Sequence, residues 1–95
     1  MTSEITVTRN DELSRFEAVV DGKVAGFSEF RPGDGRIEFT HTEVDDAYEG
    51  EGVGSTLVGR ALDQVRAEGL EVIATCEFVK AYIERHQEYA DLLAS

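Results

Sequence analysis

Between Tyr48 and Val58 the chain reads YEGEGVGSTLV, with Gly50, Gly52 and Gly54 at alternate positions and Ser55 directly after them. An apolar pattern at helical spacing begins there. Successive N–H groups in a glycine-rich turn converge on one point, and the N-terminus of a helix adds positive partial charge to it. With no Cβ in the way, a phosphate can come close to such a backbone. The stretch reads either as a cradle for a pyrophosphate or as a sharp turn with a close helix–sheet contact. Spacing removes two familiar alternatives. The G-x-x-x-x-G-K-[ST] loop needs a lysine that is absent here, and G-x-G-x-x-G would need glycine at Ser55 or Leu57. A Ser/His/Asp triad is not supported, because there are two histidines and no nucleophile elbow.

The elements that would position this loop are legible in the apolar periodicity. EITVTRN alternates, SRFEAVVDG ends on Asp21-Gly22, and KVAGFSEFRPG follows at once, which is a hairpin signal. A second turn around Pro32, Gly33 and Gly35 leads into IEFTHTEV. Leu57, Val58, Ala61, Leu62 and Val65 then recur at helical spacing, with Gly69 as the stop. LEVIATC suits a buried strand. EFVKAYIERHQEYADLL predicts one further helix with Phe78, Val79, Tyr82 and Ile83 on a common face. An antiparallel meander of about four strands, followed by helix, strand and helix, makes a single α+β domain over residues 1–95.

Composition narrows the partners. Twenty acidic against nine basic residues give a net charge of −11, with no Lys/Arg cluster, which speaks against nucleic acid. The acidity fits either solubility in a salty interior or attraction of a cationic partner such as an amine. Cys76 is the only cysteine, so no intramolecular disulfide and no Cys-rich metal site is expected. The start, MTSEITVTRNDE, has no signal-peptide pattern, and no apolar run reaches the roughly 20 residues that span a bilayer. A cytoplasmic protein without a membrane partner is expected.

Several separated motifs together resemble the GNAT superfamily of N-acetyltransferases. EGEGVG, Glu49 to Gly54, aligns with its Q/R-x-x-G-x-G/A signature between the fourth strand and the next helix. The chain is most similar to the short, single-domain GNAT-like family: Thr40-His41-Thr42-Glu43-Val44, the glycine loop, Ser55-Thr56-Leu57-Val58, Cys76, and Tyr82-Ile83-Glu84-Arg85-His86-Gln87-Glu88-Tyr89 fall in that family's order. Glu49 departs from the usual Gln or Arg, Glu51 adds a second carboxylate, and Gln87 replaces a proline.

The resemblance implies a minimal GNAT-like fold that binds acetyl-CoA between the fourth and fifth strands. Thr42, Glu43 and Val44 would hold pantetheine. Glu49, Gly50, Glu51, Gly52, Val53, Gly54 and Ser55 would hold the pyrophosphate. Cys76 would be the acetyl acceptor, the thiolate being a good nucleophile once formed. His41 would be a general base toward the thiol or an incoming amine. Simple alternation puts His41 on the face of Ile37 and Phe39, and a bulge would reverse that. Tyr82 would protonate a leaving thiolate, lie beside CoA, or pack in the core. The implied activity is transfer of acetyl to an amine acceptor; the other reading is a CoA-binding or interaction module without turnover. No helical pair separates the first two strands, where larger relatives build their acceptor cleft.

Overall fold

One sheet carries strands β1 (Ile5–Asn10), β2 (Arg15–Val20), β3 (Lys23–Pro32), β4 (Arg36–Val44) and β5 (Glu71–Ala74), adjacent in that order. This architecture comes from a computed structural model, which describes residues 4–48 and 50–94. The first four strands are antiparallel, and β5 joins β4 in parallel after a crossover through helix α1 (Val53–Ala67). Helix α2 (Glu77–Arg85) follows β5. The α+β meander read from the sequence is the fold that forms.

The β2–β3 turn has the backbone its residues suggest. Asp21 and Gly22 have φ of 51° and 78°, the paired positive values of a two-residue hairpin whose twist matches its strands. Alternation along β2 then sends Phe16, Ala18 and Val20 inward. The Phe16 ring lies 5.4 Å from that of Phe30 and 6.0 Å from that of Phe39, linking three strands. Over these rings α1 lays Leu57, Val58, Ala61, Leu62 and Val65, all buried. The Arg9 guanidinium closes the edge of this layer, 4.9 Å from the Phe30 ring and 3.0 Å from a Glu68 oxygen.

The last helix departs from the expectation. The run 77–93 does not continue as one helix; α2 stops at Arg85, and a tighter 3-10 segment covers Gln87–Leu92. The apolar stripe lapses at His86 and Gln87, so nothing holds the α-helical register beyond Ile83. His86 takes φ −125° and ψ 77°, and its ring stacks on Tyr82 at 4.0 Å. Gln87 donates from Nε2 to the Glu84 carbonyl at 2.8 Å, closing the end of the helix where the resembled family has proline. The break lets Leu92 reach the core and Ala94 donate to the Val72 carbonyl at 2.8 Å, which covers the outer edge of β5.

Two polar clamps fasten that segment to α1. Tyr89 donates its hydroxyl to Asp63 at 2.7 Å, and the hydrogen bond and burial push its ionisation up. Arg66 makes a two-pronged contact with Asp91, both at 2.9 Å. The hydrogen bonds from Arg66 hold the Asp91 carboxyl below its ordinary value of 3.8. A carboxylate depressed in the fold stabilises it above that ordinary value and loses the contribution as pH falls through the folded one. Asp91→Asn is therefore expected to lower the thermal midpoint slightly at neutral pH, with a gap that closes under acid. Melting curves of both proteins from about pH 7 to pH 2 check this.

Candidate functional site

The site begins where two strands part. β5 pairs with β4 only from Arg36 to Phe39, while β4 runs on to Val44 against β3. The last tie across the fork is the Cys76 N–H, which donates to the Phe39 carbonyl at 2.8 Å. From Thr40 to Val44 no residue of β5 lies opposite β4. A strand edge left open inside a sheet is a place for an extended ligand to add hydrogen bonds.

The open edge leads into the glycine loop. After a 3-10 turn, Asp46–Tyr48, the chain reaches Gly50 and Gly52 with φ of 81° and 76°. Both are left-handed values that disfavour any side chain, and a Cβ at either would meet nothing within 4 Å. Gly52 is the N-cap of α1 and offers no side chain to the first-turn amides. The first turn lies against the end of β4, where Val44 Cγ2 would be 3.3 Å from a Cβ at Gly54. Gly54 is needed for a different reason: a Cβ there would sit 2.5 Å from Cζ of Phe78, whose ring lies across the first turn of α1 and is 40% exposed. The sharp turn and the close contact read from the sequence are both present, the contact at Gly54 being with Phe78 of α2 and Val44 of β4. Glu51 is exposed beside it, and Glu49 lies outside the described residues.

A bulge decides which side chains face the fork. Glu29 pairs with His41 and Phe30 with Phe39, which leaves Thr40 as an extra residue in β4. Facing reverses there. Ile37 and Phe39 are buried in the core, and beyond the bulge the half-buried Val44 packs against it and Thr42 meets the buried Ser28. Thr42 Oγ1 lies 2.9 Å from Oγ of Ser28 and accepts from the Cys76 thiol at 3.4 Å. Cys76 is the N-cap of α2, and 7% of it is exposed. His41 and Glu43 project from the other side of the sheet, 3.5 Å apart, with side chains 53% and 60% exposed. The structure thus joins Cys76 to Thr42 and does not bring His41 to Cys76.

That other face is uncovered. Arg15 lies 4.5 Å over the Phe27 ring, and the His41 ring is 6.3 Å from it. A cavity of about 510 Å³ opens beside them, with Glu43, Asp45 and Asp46 on its wall. On the helix side, Ser55, Phe78, Tyr82 and Arg85 line a smaller groove between α1 and α2. Tyr82 reaches Gly59, where a Cβ would be 2.6 Å from its hydroxyl, so it packs against α1 and not in the deep core with Val79 and Ile83. Burial raises its ionisation, with help from Glu88 and Asp63. Ser28 was not singled out by the sequence, and Phe78, expected on the apolar face of the last helix, instead lies over Gly54 and is half-exposed. A serine at an inward position of β3, between Gly26 and Phe30, was the available signal for Ser28.

Comparison with known proteins agrees with the fold. The family model for the GCN5-related N-acetyl-transferase matches residues 15–92. Curated relatives called Protein NATD1, from Gallus gallus and Mus musculus, are 38% identical over 50 residues. That alignment takes in 53% of this chain and 46% of either relative, about half the length of each protein. The NMR solution structure of a GCN5-like protein from Staphylococcus aureus superposes with a TM-score of 0.71 at 25% identity, covering 95% of this chain and 88% of that one. Among the described residues no helix is long and apolar enough to cross a membrane, and no group of three or more His, Cys, Asp or Glu is placed to hold a metal ion.

Proposed function

The chain belongs to the GCN5-related N-acetyltransferase family, and on that footing we propose that it binds acetyl-CoA in the fork between β4 and β5 and passes the acetyl group to an amine. The observation that carries this reading is the continuity of the open β4 edge with the uncapped amides of α1. Thr42, Glu43 and Val44 supply the edge for a pantetheine arm. Gly50 and Gly52 to Ser55 supply amides for a pyrophosphate, the Glu51 N–H being taken by the Tyr48 carbonyl, and α1 adds positive partial charge. Glu51 opposes that charge and points the expectation toward modest affinity.

Bound acetyl-CoA supplies an activated acyl group as its thioester. Cys76 at the fork is the proposed first acceptor: its sulfur bonds to the acyl carbon, the original C–S bond breaks, and the thiol proton leaves with the released CoA. An amine nitrogen then bonds to the same carbon, the bond from that acyl carbon to the Cys76 sulfur breaks, and the amine proton restores the thiol. His41 faces the uncovered side of the sheet, away from the Cys76 sulfur, so no proton transfer at the acetylated cysteine is assigned to it. Around the open cavity the carboxylates of Glu43, Asp45 and Asp46 outnumber the one cation, Arg15, which favours a cationic acceptor, a polyamine or a lysine side chain.

Intact-mass spectrometry after incubation with acetyl-CoA tests the proposal. The expected result is one acetyl group on the protein, removed as an acetylated amine when spermidine or a lysine peptide is added. Neither adduct nor acetylated amine with any of a panel of amines would exclude it. A second reading, a CoA-binding module without turnover, is favoured by the burial of Cys76 and would show binding with neither product.

A further inference from the structure

Ser28 is the one polar residue among the described residues that is buried with the core, at 0% exposure. A hydroxyl taken out of water must be hydrogen-bonded or it destabilises the fold. A smaller apolar residue would avoid that cost, and Ala18 and Ala25 show that this layer accepts one. Ser28 meets the requirement through Thr42, and Thr42 meets Cys76. The three side chains come from β3, β4 and the N-cap of α2, brought together by the bulge at Thr40 that turned Thr42 inward.

A hydroxyl is both donor and acceptor, and it rotates. When Cys76 is a thiol, its S–H donates to Thr42 Oγ1, and Thr42 can donate to Ser28. When the sulfur carries charge or an acyl group it has no proton to give. Thr42 can then turn its own hydroxyl toward the sulfur while Ser28 donates into Thr42 Oγ1. The distances of 2.9 and 3.4 Å serve both polarities, since either Ser28 or Thr42 can be the donor. A pair of apolar residues would serve neither.

We propose that Ser28 and Thr42 form a reversible hydroxyl pair that positions Cys76 and supports its sulfur as the S–H bond is lost. Both are positioning residues, acting through the sulfur and not on the acceptor. The inference rests on the proposed use of Cys76 in acyl transfer, and its test is independent of CoA binding.

Iodoacetamide reads the sulfur alone: an S–C bond forms, the C–I bond breaks, iodide leaves, and the thiol proton passes to solvent. With one cysteine in the chain, mass spectrometry follows the reaction directly. Thr42→Val keeps the shape and removes the hydroxyl, and is expected to slow alkylation about tenfold, as loss of a hydrogen bond to a charged group would. Thr42→Ser removes the methyl and keeps the hydroxyl, and is expected to restore the rate; a purely structural role for Thr42 would not be rescued this way. Ser28→Ala is expected to fall between the two, and it leaves a small residue in place should the valine variant fail to fold. Wild-type rates in Thr42→Val, or in Ser28→Ala, would overturn the proposal, as would a serine variant as slow as the valine one. Failure of acetyl-CoA to bind would overturn the acetyl-CoA reading and leave these rates untouched.

Discussion

Cys76→Ala protein incubated with acetyl-CoA is expected to gain no acetyl group and to yield no acetylated amine, while keeping its fold and its affinity for the ligand. The expectation follows from where the residue sits. Its backbone holds the fork, through the N–H to Phe39 and the carbonyl that accepts from Lys80 at 3.0 Å, and alanine preserves both. Its side chain faces Thr42 at the point where the strands separate, and without the sulfur only the hydroxyls of Thr42 and Ser28 remain there, weaker nucleophiles than a thiolate. The sulfur also fills little volume, so the cavity left by alanine is small and the stability cost is modest. Intact mass and amine-product analysis check the chemistry. Undiminished amine acetylation by the variant would mean that the amine attacks acetyl-CoA directly, with Cys76 as a packing residue at a strand end.

Phe16→Ala is expected to destabilise the protein by ~3–5 kcal/mol, enough to leave a domain of this size partly unfolded at ambient temperature. Phe16 is fully buried and its ring is the shared neighbour of Phe30 and Phe39, under the guanidinium of Arg9. Removing it opens a void between β2, β3 and β4 that the stiff sheet cannot close. The functional consequence reaches the site, because Phe39 accepts the Cys76 N–H that defines the fork. Urea unfolding followed by circular dichroism measures the loss. A change below ~1 kcal/mol would show that the layer repacks and that the fork does not depend on it.

The strands and first helix were legible because each has a strong local pattern: alternation in β2, an Asp-Gly turn, and five apolar residues at helical spacing in α1. The end of α2 was not. Its break depends on a Gln87 side chain turning back on the Glu84 carbonyl and on Leu92 finding the core, and both are tertiary facts. The bulge at Thr40 was visible only as an alternative, since alternation alone puts His41 on the face of Ile37 and Phe39. That single extra residue decides the site. It moves Thr42 to Cys76 and sends His41 to the opposite face. The two roles of the glycines, left-handed backbone at Gly50 and Gly52 and close approach of Phe78 at Gly54, could be separated only with coordinates.

A titration of the isotopically labelled protein with acetyl-CoA, read at each backbone amide by NMR, tests the central claim most directly. The account predicts shifts concentrated at Gly50 to Ser55, at Thr42 to Val44 and at Cys76, with the β1–β2 edge of the sheet unmoved. A spectrum that stays unchanged at millimolar ligand, or shifts confined to the uncovered face around Phe27, would contradict it.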